Sequence, residues 1–490
     1  MWILACAAGL ILLLSVAPGY HRPQLEGAGH LTFVALAALA FATWLLCQYQ
    51  TPAVTLFHGA LIYDGLAACF GGVSVMAAFV TVLISTAYLQ EHKLAQGEFY
   101  ALVLLSCVGM LMVTMAADLL VLFIGIEMMS LAAYVLAGFR RGLRRSQEAA
   151  LKYFVYGAFA SAVIVFGIAQ IFGEMGRLTG EPRLDFAAIS QSFAAGDVSA
   201  MGCVGICFVL AGLLFKVAAV PFHMWAPDVY EGAPTPATAF MATGIKAAGF
   251  AGLCRFGMAT LPHGLHGAHG VETSVQVIEI IAIASMVLGN LLAIRQTQIK
   301  RMLAYSSIAH AGYLLVGFAA LISDPQAHAS SAMAYYLFGY MAMTMGCLAV
   351  AMAFERQDDQ RVDLTVERLA GAGHRYPALG LAMAVFMFGL AGVPPTMGFF
   401  GKLSLFSAAI AAGRTELAVV GVLASAAGAF YYLRVLAVMY MRPNSVAERR
   451  VHSFWLGAAL WVCVSITLVV GILPEIYMGF ARQALAGWKG

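Results

Sequence analysis

The chain has 490 residues, of which 62% are hydrophobic and 10% are charged, and its formal net charge is +3. Because a soluble domain carries about 25% charged residues, this composition excludes a water-soluble protein and predicts one that lipid surrounds. The small net charge provides no electrostatic basis for a nucleic-acid partner. The first apolar run, 2–17, has no basic residue ahead of it and is expected to be a retained span and not a signal peptide.

Apolar runs long enough to cross about 30 Å of hydrocarbon recur along the whole chain. They predict helices, because backbone groups in lipid must pair within the segment and the runs are too long for tilted strands. The runs lie at 2–17, 31–48, 66–89, 99–116, 119–138, 153–173, 200–226, 235–257, 275–294, 303–322, 331–354, 377–411, 417–440 and 454–479. The sequence therefore predicts an all-α polytopic membrane protein of about 14 transmembrane helices, with 1–490 as a single transmembrane domain.

The basic residues predict the orientation of these spans. Most of the 27 Lys and Arg residues fall in loops that join an odd-numbered span to an even-numbered one. The positive-inside rule places those loops in the cytoplasm and both termini in the periplasm of a bacterial inner membrane. The longest polar stretches, 174–199 and 355–376, are expected to be loops.

The sequence contains no recognisable cofactor motif. Its nine cysteines are scattered without a Cys-x-x-Cys pair, and there is no glycine-rich phosphate loop or dinucleotide fingerprint. We therefore expect no metal, flavin or nicotinamide site on this chain, so that any redox chemistry belongs to another chain.

Two apolar runs are interrupted by a Val-Pro step, at Pro221 in the seventh span and at Pro394-Pro395 in the twelfth. The interruptions lie five spans apart, and five is odd, so two five-helix units would be inverted relative to each other. Inverted repeats with paired broken helices place an ion path at the breaks.

This reading divides the chain into four parts. The first five-helix repeat is expected at 99–257 and the second, inverted repeat at 275–440. The segments 1–89 and 454–490 are then flanking helices.

Four charged residues lie inside apolar runs: Glu127, Lys216, Lys246 and Lys402. A charge at mid-bilayer costs about 2.5 kcal/mol or more. Burial disfavours the charged form of a lysine, which brings proton exchange within reach of neutral pH, and a nearby carboxylate opposes this. Glu127 and Lys216 are therefore predicted to form a proton switch. The alternative is that these ions only hold helices together, but four of them, two beside helix breaks, favour a proton path.

Two histidines are secondary candidates. His223 follows Pro221 by two residues, and His310 lies inside the tenth apolar run. A neutral imidazole can accept a proton on one nitrogen and release one from the other, as a proton relay requires. The alternative is a hydrogen-bonded histidine at a helix contact.

Three stretches resemble the proton-translocating membrane subunits of respiratory complex I and their Mrp antiporter relatives. They are 216–239, 298–313 and 392–402. Within that family, two segments are similar to the N-type subunits: the motif Trp225-Ala-Pro-Asp-Val-Tyr-Glu-Gly-Ala-Pro-Thr-Pro and the stretch 151–161. The M-type subunits resemble the chain less, because they usually carry a glutamate where this chain has Lys402.

The resemblance implies a function and a set of site residues. Glu127 and Lys216 would be a coupled pair, Lys246 the central relay and Lys402 the terminal lysine of a path that couples quinone reduction to proton pumping. Quinone, FMN and iron–sulfur clusters would be bound by partner subunits. The expected partners are other membrane subunits, including neighbouring antiporter-like ones, a hydrophilic NADH-oxidising arm, and lipid. The alternative is a subunit of a redox-independent cation/proton antiporter of the Mrp type.

Overall fold

The computed structural model describes residues 1–16, 27–49, 53–94, 96–262, 270–326, 328–355, 364–443, 453–486 and 488. Helices dominate the described chain, as the apolar runs predict. In chain order they are α1 (Trp2–Val16), α2 (Gly27–Cys47), α3 (Gly65–Glu91), α4 (Gln96–Met115), α5 (Leu119–Ala137), α6 (Arg144–Thr179), α7 (Phe186–Ala195), α8 (Ala200–Lys216), α9 (Trp225–Gly232), α10 (Thr235–Phe240), α11 (Lys246–Thr260), α12 (Gly270–Ile294), α13 (Ile299–Ser323), α14 (Ala329–Met352), α15 (Ala372–Arg375), α16 (Pro377–Ala391), α17 (Met397–Ala411), α18 (Thr415–Met441), α19 (Phe454–Ile472) and α20 (Glu475–Leu485). A π-helical turn, Met241–Ile245, joins α10 to α11, and 3₁₀ turns lie at Phe57–Gly59 and Val366–Leu369.

The predicted polytopic architecture is confirmed. Among the described residues, 11 helices are long and apolar enough to cross a membrane. The other predicted spans, at 2–17, 200–226 and 377–411, correspond to shorter apolar helices: α1, α8 with α9, and α16 with α17. The helices in spans 200–226 and 377–411 are shorter because each of these spans is broken in the middle.

The prediction that 174–199 is a loop is wrong in part. Helix α6 continues to Thr179, and α7 occupies Phe186–Ala195. The Asp185 carboxylate caps α7 by accepting a hydrogen bond from the Ala188 amide at 2.9 Å. One face of α7 is apolar and buried, so this short helix packs against the spans. In the second predicted loop, 356–363 lie outside the described residues.

A short antiparallel hairpin is the other element that the hydropathy pattern does not predict. Strand β1 (Val54–Leu56) pairs with β2 (Leu61–Tyr63). The chain reverses between them through His58 and Gly59, both with positive φ. Three-residue strands are too short to show an alternating pattern in the sequence.

One local arrangement occurs twice. The segment before α5 pairs with the segment before α7 at the bridge between Asp118 and Asp185. The segment before α13 pairs with the segment before the Val366–Leu369 turn at the bridge between Gln298 and Thr365. The two bridges span the same number of residues, as two copies of one unit would.

The helix pairs next to these bridges also correspond. A methyl group at Gly109 on α4 would lie 2.5 Å from the Met129 nitrogen on α5. A methyl group at Gly289 on α12 would lie 2.6 Å from the Ala309 nitrogen on α13. Small residues let two helix backbones approach this closely in a membrane. Both helix pairs therefore pack through glycine at equivalent places.

Both helix breaks lie where the Val-Pro steps predict them. Helix α8 ends at Lys216, and α16 ends at Ala391. Proline lacks the backbone N–H that a continuing helix needs, and the peptide bonds before Pro221 and Pro395 are cis. Next to each break a residue has positive φ, Ala218 at 56° and Gly392 at 89°. The breaks leave helix ends inside the membrane, and the last carbonyl groups of a helix need donors from outside its regular hydrogen-bond pattern.

Candidate functional site

Lys216, the last residue of α8, lies against α5. Its side chain is buried. The ammonium donates to Ser130 Oγ at 3.0 Å and to the Tyr134 hydroxyl at 3.5 Å. Ser130 and Tyr134 are one helical turn apart, so they present their hydroxyls to the same place. The first lysine is thus held by neutral groups.

Glu127 lies on α5 one turn before Ser130 and is partly buried. Its carboxylate accepts a hydrogen bond from Ser161 on α6. Among the described residues, no ion pair within 4.0 Å joins Glu127 to Lys216, although the two charges interact electrostatically. The direct contact implied by a Glu–Lys pair is therefore absent from this conformation, because neutral hydroxyl groups satisfy each ion separately.

Lys246 is the most enclosed of the three lysines, with 1% of its surface exposed. It begins α11, directly after the π-helical turn. The ammonium donates to the Ser307 carbonyl oxygen at 2.6 Å and also to Ser307 Oγ. It lies 5.7 Å from the centre of the Tyr340 ring. A π-helical turn is a frequent feature of functional sites in helices.

His310 lies on α13 one turn after Ser307 and is buried. Its Nδ1 is 2.5 Å from the Tyr336 hydroxyl, and its Nε2 is 2.9 Å from the Tyr432 hydroxyl. A hydroxyl can both donate and accept, so either tautomer of the imidazole is satisfied. This is the arrangement that a two-sided proton relay needs.

Lys402 on α17 reaches back across the second break. Its ammonium donates to the carbonyl oxygens of Leu390 at 2.8 Å and Ala391 at 3.1 Å, and to Ser425 Oγ at 2.8 Å. Those carbonyls are the last two of α16. A cation at a helix C-terminus satisfies unpaired acceptors and the negative end of the helix dipole.

Aromatic rings join Lys246 to Lys402 through His310. The His310 ring centre lies 4.8 Å from that of Tyr340, which contacts Lys246, and 5.6 Å from that of Tyr313. Lys402 Nζ lies 5.2 Å from the Tyr313 ring centre. We call the set that these contacts connect the central polar cluster: Lys246, Ser307, His310, Tyr313, Tyr336, Tyr340, Lys402 and Tyr432. It is a buried row of polar and aromatic groups in which ring contacts, and not hydrogen bonds, connect Lys246 to His310 and His310 to Lys402.

The row is interrupted between Lys216 and Lys246. No hydrogen bond joins these two side chains in the described part of the chain. Helix α11 nevertheless packs on the first break, since a methyl group at Gly249 would lie 3.8 Å from Lys216 Cβ. A proton path through both lysines would need water or movement of a lysine side chain across this gap.

His223 lies outside the row. It is partly exposed in the turn between α8 and α9. No described hydrogen bond or ring contact links it to Glu127, the three lysines or His310. His223 therefore lies in the first break itself, but no described contact joins it to the other five residues singled out from the sequence.

The sequence analysis missed the tyrosines and serines that connect the charges. Tyr336 and Tyr340 lie one turn apart on α14, and Tyr432 lies on α18. In apolar runs, tyrosines usually belong to the packed core. The signal that could have identified them is a spacing of four residues that stacks two hydroxyls on one helix face.

The chain was compared with protein families and curated relatives. Residues 116–428 match the family described as NADH:quinone oxidoreductase/Mrp antiporter, transmembrane. NADH-quinone oxidoreductase subunit N of Trichlorobacter lovleyi is 42% identical over 94% of this chain and 91% of that protein. NADH-quinone oxidoreductase subunit N 1 of Sorangium cellulosum is 43% identical over 87% of this chain and 83% of that protein.

Solved structures show the same fold. A chain of respiratory complex I from Thermus thermophilus is 31% identical, with a TM-score of 0.79 and 98% of each chain covered. A chain of the Mrp complex from Dietzia sp. DQ12-45-1b has a TM-score of 0.80 over 100% of this chain and 96% of that one, and at 20% identity it shows the fold alone. The chain therefore belongs to the NADH:quinone oxidoreductase/Mrp antiporter transmembrane family, among the subunits N of NADH-quinone oxidoreductase.

Proposed function

We propose that this chain is the proton-translocating N-type membrane subunit of an NADH–quinone oxidoreductase. Its relatives carry the name subunit N and match almost its whole length. The observation that carries the proposal is the central polar cluster, which places Lys246, His310 and Lys402 in one buried row. Ionisable groups inside a membrane are costly, and where they occur they mark ion pathways and proton relays.

The proton steps follow from the contacts. Lys246 releases a proton to the hydroxyl groups beside it, and His310 accepts a proton on one ring nitrogen while it releases one from the other. Lys402 accepts the proton at the second break, where the carbonyls of α16 stabilise its charged form. At the end Lys246 is neutral and Lys402 is protonated, while each hydroxyl and His310 have gained one proton and lost another and are neutral again.

Charge repulsion couples the steps. Two unit charges about 10 Å apart interact by about 1.7 kcal/mol at an effective dielectric constant of about 20. That energy changes the proton affinity of a neighbouring lysine by more than about tenfold. A shift in the separation of Glu127 and Lys216, driven by quinone reduction on other subunits, would therefore move protons at Lys246 and Lys402 in sequence.

The location and partners are part of the proposal. Arg434 donates to the carbonyls of Ile294 and Gln296, and Arg301 pairs with Glu231, so these basic residues share one membrane face, which we call the basic face. We place the basic face in the cytoplasm and both termini in the periplasm of a bacterial inner membrane. Other membrane subunits and the hydrophilic arm that binds FMN and iron–sulfur clusters would then be the partners, with quinone also bound by other subunits.

An Mrp-type cation/proton antiporter is the alternative function. The fold does not distinguish the two, because the Mrp complex and respiratory complex I both match it. The names of the relatives that are about 40% identical favour the oxidoreductase.

The first test replaces Lys216 by methionine, which keeps the apolar stem and removes the charge. We expect the complex to assemble, as checked on a native gel, while redox-driven proton uptake into inverted vesicles and coupled NADH oxidation fall together by about tenfold or more. A tenfold loss corresponds to about 1.4 kcal/mol in the barrier. The exposed Lys93, replaced in the same way, is the control. Full pumping by the Lys216→Met complex would contradict the proposal.

A further inference from the structure

A second buried polar cluster lies at the basic face, above Lys246. Glu355, after the end of α14, is 5% exposed. Its Oε2 accepts a hydrogen bond from Thr235 at 2.7 Å. Its Oε1 is buried and has no hydrogen-bond partner among the described residues. A buried carboxylate oxygen without a partner is costly unless water or a proton reaches it.

The surroundings of Glu355 are positively charged and polar. Lys300 on α13 is buried and donates to the Ala233 carbonyl at 2.6 Å. Lys300 and Arg140, which is also buried, interact electrostatically within this cluster. The Glu355 carboxylate accepts from Thr235 and interacts electrostatically with Tyr88, His92 and Lys300. The charged groups that act in turn on those neighbours are Glu91, Arg140, Arg145 and Glu231. The cations Lys300 and Arg140 therefore make the buried surroundings of Glu355 electropositive.

His92 follows α3 and faces the same cluster. Burial lowers the pKa of His92, and the charge of Arg140 lowers it further, against the opposing influence of a hydrogen bond to the Tyr88 carbonyl and of the carboxylates Glu355 and Glu91. The imidazole is therefore neutral at neutral pH.

Polar atoms without well-aligned partners continue from this cluster toward Lys246. Thr344 Oγ1 and the Tyr340 hydroxyl, both on α14, are buried, and neither makes an aligned hydrogen bond with a described group. The Tyr340 hydroxyl lies beside Thr344 on one side and Ser307 on the other. Ser307 is the residue that binds Lys246. Such a row of unsatisfied groups is a place where ordered water is expected.

The distance between Glu355 and Lys246 can be spanned by a short chain of hydrogen-bonded water molecules, which we call the water file. Thr235, which binds Glu355, begins α10, and Lys246 follows it by eleven residues in a nearly continuous helix. At about 1.5 Å per residue the separation along the axis is about 16 Å. At about 2.8 Å per hydrogen bond, about six links span it, and the groups of Thr344 and Tyr340 supply two of them.

We propose that Glu355 is the proton-loading carboxylate of the basic face and supplies protons to Lys246 along the polar side of α14. This inference rests on the proposed function and names the entrance of its proton path. A proton from water on the basic face binds Glu355 at Oε1 and makes it neutral. It then passes through water past Thr344 and Tyr340 to the neutral amine of Lys246, and Glu355 returns to its anionic form.

The experiment compares assembled complexes in proteoliposomes, with NADH oxidation and proton transport measured together. Glu355→Gln keeps the shape and the contact with Thr235 but cannot carry a proton. We expect proton transport to fall about fivefold or more. We also expect the loss to deepen as the medium on the basic face becomes more alkaline, because the rate then depends directly on the free proton concentration. Glu355→Asp should restore most of the rate.

The control is Glu367→Gln, an exposed carboxylate in the 3₁₀ turn that follows in the chain. It should transport protons like the unchanged complex at every pH. Normal transport by Glu355→Gln, or a loss of equal size at every pH as a fixed counter-ion would produce, overturns the inference.

A second variant decides the case if Glu355→Gln fails to assemble. Thr344→Val removes the hydroxyl midway along the water file and leaves the charged cluster intact. We expect slower proton transport, whereas Thr467→Val, which removes a buried hydroxyl bonded within its own helix, should have no effect on transport. Normal transport by Thr344→Val would overturn the inference.

Lys246→Met is measured in the same series to separate the two proposals. Normal transport by Lys246→Met would contradict the proposed function itself. A loss of transport in Lys246→Met but not in the Glu355 and Thr344 variants would contradict only the proposed role of Glu355.

Discussion

At the residue scale, the buried lysines are held by neutral groups. The described partners of Lys216, Lys246 and Lys402 are hydroxyls and carbonyl oxygens. A carboxylate in direct contact would stabilise the charged form strongly and hold the proton in place. Neutral acceptors satisfy the ammonium and still allow it to lose a proton.

The buried pair of Asp64 and Arg255 shows the opposite design. Two hydrogen bonds, at 2.7 and 2.9 Å, join the carboxylate to the guanidinium, and both side chains are buried. The Arg255 Nε also donates to the Thr114 carbonyl at 2.8 Å, and Asp64 caps α3. Such a bidentate pair keeps its charges fixed. Its role is to tie α3 to α11, and the three lysines differ from it because no carboxylate among the described residues forms a hydrogen bond with them.

His310 lies between Lys246 and Lys402 in the central polar cluster, and its replacement should interrupt proton transport. His310→Phe preserves ring packing against the surrounding tyrosines but removes both ring nitrogens. We expect the complex to assemble, with proton transport into vesicles reduced about tenfold or more, equivalent to about 1.4 kcal/mol in the barrier. The matched control is His374→Phe, an exposed histidine that contacts the Tyr440 carbonyl. Equal transport by both variants would show that protons bypass His310.

The sequence identified the charges at this scale but not their contacts. Glu127, Lys216, Lys246 and Lys402 were recognisable because an ion in an apolar run is rare and costly. The absence of direct contact between Glu127 and Lys216 could not be predicted, because it depends on how α5 and α8 are rotated and on the hydroxyls of Ser130 and Ser161. His223 was selected for its place beside Pro221, but chain proximity to a break did not bring it into the cluster.

At the element scale, each of the two broken helices has a lysine at its break, but the lysine comes from opposite sides of the break. Lys216 is the last residue of α8 and lies before its break. Lys402 lies after its break, on α17, and folds back to the last carbonyls of α16. In both cases an ammonium lies at the C-terminal end of a half-helix, where the dipole favours a cation.

Gly392 is the position where backbone and lysine meet most closely. It caps α16 with φ of 89°, and a methyl group there would lie 3.2 Å from Lys402 Cδ and 3.3 Å from Nζ. Gly392→Ala should cost about 1–2 kcal/mol in backbone strain and displace the ammonium, lowering proton transport severalfold. Gly413→Ala is the control, since Gly413 has φ of 78° with open space around it. If both variants transport protons equally well, the position of Lys402 at the α16 carbonyls is unimportant.

The hydropathy pattern predicted the long helices more accurately than the short helices and strands. The spans and both breaks follow from apolar runs and Val-Pro steps. Helix α7 and the β1–β2 hairpin were missed because a helix of 10 residues and strands of 3 residues give too short a pattern. The division into repeats at 99–257 and 275–440 stays a prediction, which the matching bridges at Asp118 and Gln298 support.

At the scale of the whole molecule, each membrane face of the protein has its own ion pairs between helices. On the basic face, Arg301 pairs with Asp228 and Glu231, both at helix α9 beside the first break. On the opposite face, Arg414 forms a bidentate pair with Glu272. The three lysines are buried within the spans, and we expect the proposed path between Lys216 and Lys402 to run along the membrane plane.

The central claim is that protons cross the membrane by way of this path. The most direct measurement is the number of protons transported per NADH oxidised by the purified complex in proteoliposomes, with Lys246→Met compared with the unchanged complex. Lys246 is the most enclosed lysine and joins the two breaks, so the account predicts an assembled complex in which that number falls, together with a loss of coupled turnover. An assembled Lys246→Met complex that transports as many protons per NADH, at the same rate, would contradict the account.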